Sequence, residues 1–249
     1  MLPLRETKYP QLSRPPLREA LVDIKLRETL PVGWMGKIEN ANFDGFTSSQ
    51  PMRQGVFRLE LLQDKPAQAV VDSEQPFGRR YNSKDESRVL QVRRNGMTLS
   101  ILKNYTNWEA LRYSAHVSWD SYLEISGPVD VDRLAVRYVN AIEMNLGDDY
   151  DKYLTAGPRI PPELPQIVNN FVQRVEIPFT KEEASAIVTQ TLVAPVAGKG
   201  SAILDIDVFC SCLLKGTSAD LWSRLDDLRD IANGIFFSSV APEVLKSYS

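Results

Sequence analysis

The chain has 249 residues, a formal net charge of −3 and a hydrophobic content of 43%, values that are typical of globular proteins in water. This charge argues against a dedicated nucleic-acid-binding domain, and no apolar run approaches the roughly 18–20 residues that span a bilayer. The N-terminal residues show no secretory pattern, and Cys210 and Cys212 are spaced for one face of a strand rather than for a disulfide. We therefore predict a cytoplasmic protein that lies outside membranes.

An alternating segment begins the regular part of the chain. Beyond Pro15-Pro16, apolar and polar residues alternate from Ala20 to Leu26, which is the two-residue period of a strand. The elements predicted before residue 83 are a strand over 17–28, a short helix around 35–41, a polar loop over 47–54, strands over 56–62 and 69–71 joined by a turn at Lys65-Pro66, a loop over 72–76 and an extended segment over 78–82.

A β-hairpin follows. Asn95-Gly96 is a strong hairpin turn signal, and it lies between two extended runs. If these two residues form the turn, Val92 pairs with Leu99 and Leu90 pairs with Ile101. The apolar side chains of the hairpin then share one face, which we expect to be core.

A long amphipathic helix comes directly after the hairpin. The run from Thr106 to Glu109 has the spacing of a capping box, so we predict a helix that continues to about Glu124. Its apolar stripe contains Trp108, Leu111, Ala115, Trp119 and Tyr122. We expect this stripe to face a sheet.

The second half of the chain repeats the same order of elements. It contains a predicted strand over 131–144, short helical pieces over 148–170, strands over 171–177, 184–193 and 202–214, and a helix over 218–233 with Trp222 facing inward. We therefore predict an α+β fold in which two long helices cover one antiparallel sheet. The halves, 1–128 and 129–249, are expected to be an internal duplication of a strand–excursion–antiparallel strands–helix unit within one compact body.

Two pairs of charged residues are the main candidates for a ligand-binding site. Arg133 and Arg137 share one face of their predicted strand, and Asp205 and Asp207 share one face of another. The arginines have the geometry to bind a carboxylate or phosphate. The alternative is that the arginines and aspartates pair with each other. We predict a mixed case, in which Arg137 and Asp207 lie near the middle of their strands and are more buried than Arg133 and Asp205.

A basic cluster around the hairpin supplies two further candidates, Arg80 and Arg93. A phosphate or another acidic ligand would suit this cluster, but we favour a solvated hairpin whose exposed arginines discourage edge-to-edge pairing. The cluster consists of Arg79, Arg80, Lys84, Arg88, Arg93, Arg94 and Lys103.

Four short motifs, in order, resemble a known family. They are Pro15-Pro16-Leu17-Arg18-Glu19-Ala20-Leu21-Val22, Tyr105-Thr106-Asn107-Trp108-Glu109, Arg133-Leu134-Ala135-Val136-Arg137-Tyr138-Val139-Asn140 and Leu204-Asp205-Ile206-Asp207-Val208. The chain is similar to a sporadically distributed prokaryotic family of uncharacterised proteins of about this length. The resemblance implies a bacterial cytosolic protein, and it transfers no catalytic residues.

Three classes of function remain open. The first is a non-catalytic binding protein that uses the free sheet face or the groove between the halves for a protein or a small acidic ligand. The second is an enzyme acting on a phosphorylated or nucleotide-like substrate, and the third is a nucleic-acid binder on a saddle-shaped sheet. The net charge disfavours the third. With one histidine and no catalytic motif, we assign no catalytic residue, cofactor or metal, and a homodimer is allowed.

Overall fold

The computed structural model describes residues 9–60, 68–145, 147–165, 168, 170–196 and 199–249. Nine strands form one antiparallel sheet in the order β2-β3-β4-β5-β1-β6-β9-β8-β7. The strands are β1 (Leu17–Leu26), β2 (Ser48–Glu60), β3 (Gln68–Asn82), β4 (Arg88–Arg93), β5 (Gly96–Ile101), β6 (Asp130–Asn145), β7 (Val172–Phe179), β8 (Ala184–Val196) and β9 (Lys199–Lys215). Because β1 pairs with β6, the sheet runs unbroken from one half of the chain into the other.

Four α-helices accompany the sheet in the described part of the chain. They are α1 (Met35–Ile38), α2 (Trp108–Ser126), α3 (Asp220–Ser239) and α4 (Pro242–Tyr248), with 3-10 turns at Val32–Trp34 and Tyr150–Lys152. Helix α2 packs on β1 and β5, and α3 packs on β6 and β9. The predicted α+β class and antiparallel sheet are confirmed. Among the described residues, no helix combines the length and the apolar character that crossing a membrane requires.

The core lies between the sheet and the helices. Val22 on β1 is opposite Leu99 on β5 and Val136 on β6, so these buried side chains point to the same face. The three tryptophans predicted to face inward, Trp108, Trp119 and Trp222, are buried there. On the opposite face, the residues of β1, β6 and β9 are mostly polar or half-buried, and the small Ala135 and Ala141 of β6 are the buried apolar exceptions. We call this opposite surface the free face.

The hairpin forms with a different register from the predicted one. Leu90 pairs with Leu99 and Val92 with Met97, so the turn is Arg94-Asn95 and Gly96 already belongs to β5. Gly96 has a φ of 130°, and a Cβ on it would lie 2.0 Å from the carbonyl oxygen of Ile24. The glycine is therefore needed for the close approach of β1 rather than for the turn.

The N-terminus of α2 also differs in detail. Asn107, not Thr106, is the N-cap: its side-chain oxygen accepts a hydrogen bond of 2.9 Å from the backbone N–H of Ala110. The helix ends at Gly127, which has a φ of 76° and whose N–H donates to the carbonyl of Leu123 at 2.8 Å.

The edge hairpin β2–β3 was predicted poorly. The expected loops over 47–54 and 72–76 are mainly parts of two long paired strands, and the predicted turn at Lys65-Pro66 lies outside the described residues. The strands predicted over 56–62 and 69–71 and the extended segment over 78–82 do overlap β2 and β3. The segments predicted as loops are polar and contain Pro51 and Pro76, which is why they were not recognised as parts of the same strands.

Candidate functional site

The free face places one predicted pair in direct contact. Arg137 binds Asp205 through two hydrogen bonds, from Nε to Oδ1 at 2.7 Å and from Nη2 to Oδ2 at 2.5 Å. In the strand ladder Arg137 lies opposite Asp207, and Asp205 is its diagonal neighbour. A long side chain reaches such a diagonal neighbour, and the fork of the guanidinium fits both carboxylate oxygens. This hydrogen bond raises the pKa of Arg137.

Arg133 joins a second group of charges. Its Nη1 lies 3.3 Å from Oδ2 of Asp23 on β1, and its Nη2 lies 3.7 Å from Oδ2 of Asp207 on β9. The guanidinium lies over the ring of Phe209, 4.7 Å from the ring centroid. Burial raises the pKa of Asp207, and the nearby Arg133 and Arg137 lower it only in part.

The two hairpin candidates are in different surroundings. Arg93 donates to Asp23 at 2.7 Å and to Oγ1 of Thr98 at 2.7 Å, so it belongs to the same group of charges as Arg133. Arg80 is exposed and lies three strands from Asp23 in the same row, about 14 Å away at the usual strand spacing. The structure therefore brings together five of the six candidates and leaves Arg80 apart.

The free face is balanced in charge at its centre. Three arginines, at positions 93, 133 and 137, are paired with three aspartates, at positions 23, 205 and 207. The predicted order of burial is wrong, because the side chains of Arg137 and Asp207 are 42% and 27% exposed, against 29% and 17% for Arg133 and Asp205. The diagonal pairing explains this: Asp205 is covered by the guanidinium of Arg137, which itself faces solvent.

A double-mutant cycle tests this pairing. We expect Arg137→Ala and Asp205→Ala to show a coupling of about 1 kcal/mol in the free energy of unfolding, because the bidentate pair is only half-buried. The matched cycle of Arg137→Ala with Asp207→Ala should show a smaller coupling, although Asp207 is the direct ladder neighbour. Urea unfolding of the single and double variants measures both values. Equal couplings would contradict the diagonal assignment.

A second group of charges is buried between α2 and α3. Asp226 on α3 accepts a hydrogen bond of 2.7 Å from Nε1 of Trp108, and its Oδ1 lies 3.1 Å from Nε of Arg112. The guanidinium of Arg112 also lies 5.8 Å from the ring centroid of Trp222. Asp226 and Arg112 are each 4% exposed, so this pair is removed from water and its two charges compensate each other.

Arg229, one turn further along α3, has a weaker counterion, because its nearest carboxylate belongs to Asp230, which is partly exposed rather than buried. Arg229 is 3% exposed, and its Nε and Nη2 have no hydrogen-bond partner among the described residues. Its Nε lies 3.3 Å from Oδ1 of Asp230, whose side chain is one-third exposed, and its guanidinium lies 5.8 Å from the ring centroid of Trp108. A buried guanidinium with open donors is costly unless an anion or water satisfies it.

Arg229 lines a pocket between the two halves of the chain. The pocket has a volume of about 160 Å³. Residues 9–17 and the start of α2 form one wall, while β6 and the later part of α3 form the other. Its aromatic lining consists of Tyr9, Tyr105, Trp108, Tyr138, Phe236 and Phe237, and its polar lining includes Asn107, Glu109, Asn140, Arg229 and Asn233.

Two tyrosines make part of this lining polar. The hydroxyl groups of Tyr105 and Tyr138 share a hydrogen bond, and their rings meet edge to face with centroids 6.2 Å apart. Burial raises the pKa of both phenols, so both are neutral donors at physiological pH, while the charge of Arg229 lowers each pKa in part. The positive potential of Arg229 therefore extends to these hydroxyl groups.

The buried group of charges formed by Arg112, Asp226 and Arg229 was not predicted from the sequence. A signal was present, because Arg112 follows Trp108 by four residues and Arg229 follows Leu225 by four, which puts both arginines on the apolar stripes of their helices. A charged residue at a core position of a helix needs a partner or a ligand. The spacing could thus have identified the arginines, but not which of them is paired.

The fold and the site define this chain as an α+β protein with a buried arginine beside an aromatic pocket. Comparison with protein-family models gives no match, and the curated proteins and the solved structures give none either. The resemblance to the prokaryotic family described above stays a prediction.

Proposed function

We propose that this protein is a non-catalytic binding protein that holds a small carboxylic acid in the pocket between its halves. The observation that carries the proposal is the buried guanidinium of Arg229 beside the pocket, whose Nε and Nη2 have no hydrogen-bond partner among the described residues while Asp226 is occupied by Arg112 and Trp108. Its ion pair with the partly exposed Asp230 engages Nε at 3.3 Å only. Both nitrogens are enclosed, so we propose that a small shift of the side chain toward the pocket lets a carboxylate bind them in the usual fork geometry.

The size and lining of the pocket limit the rest of the ligand. A dry protein cavity of about 150 Å³ accommodates benzene, so a pocket of about 160 Å³ has room for roughly one six-membered ring. The aromatic side chains around it favour an apolar body. Tyr105 and Tyr138 supply hydroxyl groups that can orient the carboxylate.

The charge of the proposed ligand follows from the two charged side chains in the lining of the pocket. Arg229 contributes one buried positive charge, and the half-exposed Glu109 contributes a negative one. A dianion such as phosphate would be attracted by the first and repelled by the second. A monoanionic carboxylate is the better match.

The free face is a weaker candidate for an acidic ligand. Arg93, Arg133 and Arg137 are already engaged by aspartates, so an incoming anion would have to displace an existing ion pair. This argument favours the inter-half pocket over the free face. The enzyme and nucleic-acid hypotheses have no comparable observation behind them in the described residues.

The position of the pocket also fits an internal duplication. Moving outward from β1, the strands are β5, β4, β3 and β2, and moving outward from β6 they are β9, β8 and β7, so both sets run in the same chain order although the first has one strand more. In the chain, each set of strands is followed by a long helix, α2 after β5 and α3 after β9. This order supports the proposal that residues 1–128 and 129–249 are repeats, with the ligand held at their junction.

Ligand binding is tested with benzoate as the probe and benzamide as its neutral, nearly isosteric control. We expect benzoate to raise the melting temperature of the wild-type protein in a concentration-dependent way, and benzamide and inorganic phosphate to have little effect. Arg229→Met should abolish the benzoate response, because Met fills a similar volume without the donors. Isothermal titration measures the affinity directly.

Two results distinguish the proposal from general stabilisation. Without a ligand, Arg229→Met should be as stable as the wild type or more stable by up to about 1 kcal/mol, because it removes a buried charge with two unsatisfied donors and leaves Asp230, which is partly exposed to water. Arg137→Met, on the free face, is the matched control and should keep the benzoate response. An unchanged response in Arg229→Met would exclude the pocket as the acid site.

A further inference from the structure

Strand β7 (Val172–Phe179) is an open edge of the sheet. It pairs with β8 on one side, and no strand of the described residues pairs with its other side. Val172 is 72% exposed, and Val175 and Ile177 are exposed on the opposite face of the same strand. An edge with free backbone groups and exposed apolar side chains is ready to pair with another strand.

The opposite edge of the sheet is built differently. Strand β2 contains Pro51 and Gly55, and its pairing with β3 has two register shifts, between Met52 and Arg53 and between Val56 and Phe57. Bulges and prolines of this kind obstruct the addition of a further strand. Strand β7 also has a proline, Pro178, next to its C-terminal end, but its eight residue pairs with β8 run without a shift. The two edges therefore differ in their readiness to pair.

The charges on β7 identify the strand that would fit. Arg174 and Glu176 are on the same face on either side of Val175, and neither makes an ion pair or hydrogen bond within the described ranges. When two copies of this strand lie antiparallel and centred on Val175, Arg174 of each copy is directly opposite Glu176 of the other. Opposite charges in direct cross-strand positions are favourable.

We propose that the protein forms a symmetric homodimer through antiparallel pairing of β7 with β7 of a second copy. The dimer has a twofold axis at Val175, two Arg174–Glu176 ion pairs on the free-face side and a contact between the two Val175 side chains on the other. Ile177 lies diagonal to Val175 of the second copy, within the range of cross-strand contacts. The two nine-stranded sheets thereby become continuous, and the interface is isologous. This inference is independent of the ligand in the pocket.

Charge reversal gives a sharp test, with assembly measured by sedimentation velocity. The wild type should be a dimer at micromolar concentration. Glu176→Arg and Arg174→Glu should each weaken dimerisation about tenfold or more, since each places like charges opposite each other twice per dimer. The double variant Arg174→Glu/Glu176→Arg should restore the dimer. An equimolar mixture of the two single variants should form a heterodimer.

Controls separate this interface from other causes. Arg53→Glu, a charge reversal on the opposite edge strand β2, should leave the dimer unchanged, and circular dichroism should show that every variant is folded. A monomeric wild type would overturn the proposal. A dimer that both single charge reversals leave intact would overturn it as well, because the contact would then lie elsewhere.

Discussion

Replacing Trp119 by alanine should lower the free energy of unfolding by about 3–5 kcal/mol. Trp119 is 1% exposed, stacks on Tyr122 with ring centroids 5.0 Å apart and donates from Nε1 to the carbonyl of Gly216 at 2.8 Å. The alanine variant loses this buried area, opens a cavity beneath α2 and leaves the Gly216 carbonyl without this donor.

Trp119→Phe is the matched control for this prediction. Phenylalanine keeps most of the ring contact with Tyr122 but lacks the indole N–H, so it should recover more than half of the loss. Urea unfolding followed by circular dichroism measures both variants. A cost below about 1 kcal/mol for Trp119→Ala would show that α2 is not anchored to the sheet through this residue.

Replacing Arg112 by methionine should destabilise the protein by a similar amount, about 3–5 kcal/mol. Its ion pair with Asp226 is buried, and the variant leaves the carboxylate with the Trp108 indole as its remaining observed donor. An uncompensated buried charge is more costly than the net gain from the original pair.

The contrast with Arg229 makes this second prediction specific. Arg112 and Arg229 are almost equally buried, yet Arg112→Met should be strongly destabilising whereas Arg229→Met should not, because only Arg112 compensates a buried aspartate. Adding Asp226→Leu to Arg112→Met should recover most of the loss, since it removes the stranded carboxylate. Equal effects of the two Arg→Met substitutions in thermal melts would contradict this division of roles.

Local patterns were sufficient where one face of an element is core. The alternation from Ala20 to Leu26 predicted β1, because a strand with one buried face must alternate its side chains. Tryptophans at helical spacing predicted the inward face of α2. Burial on one side of an element imposes a period that is readable in sequence.

Local patterns failed where the deciding contact comes from a distant part of the chain. Asn95-Gly96 was predicted to be the hairpin turn, but the close approach of Ile24 on β1 requires the glycine in the strand and moves the turn by one residue. The polar segments 48–54 and 72–76 of the edge hairpin were likewise predicted as loops, but in the sheet β2 and β3 pair with each other along them.

The candidate site shows the same division. The sequence by itself determined that Arg133 and Arg137 share one face of β6 and that Asp205 and Asp207 share one face of β9. In each strand this is the face opposite the apolar core residues. Only the tertiary structure decided that Arg137 binds the diagonal Asp205, because pairing depends on the reach of side chains across strands. It alone also decided that the buried Asp226 pairs with Arg112, whereas Arg229 has the partly exposed Asp230 as its counterion, because these pairings depend on how α2 and α3 are placed.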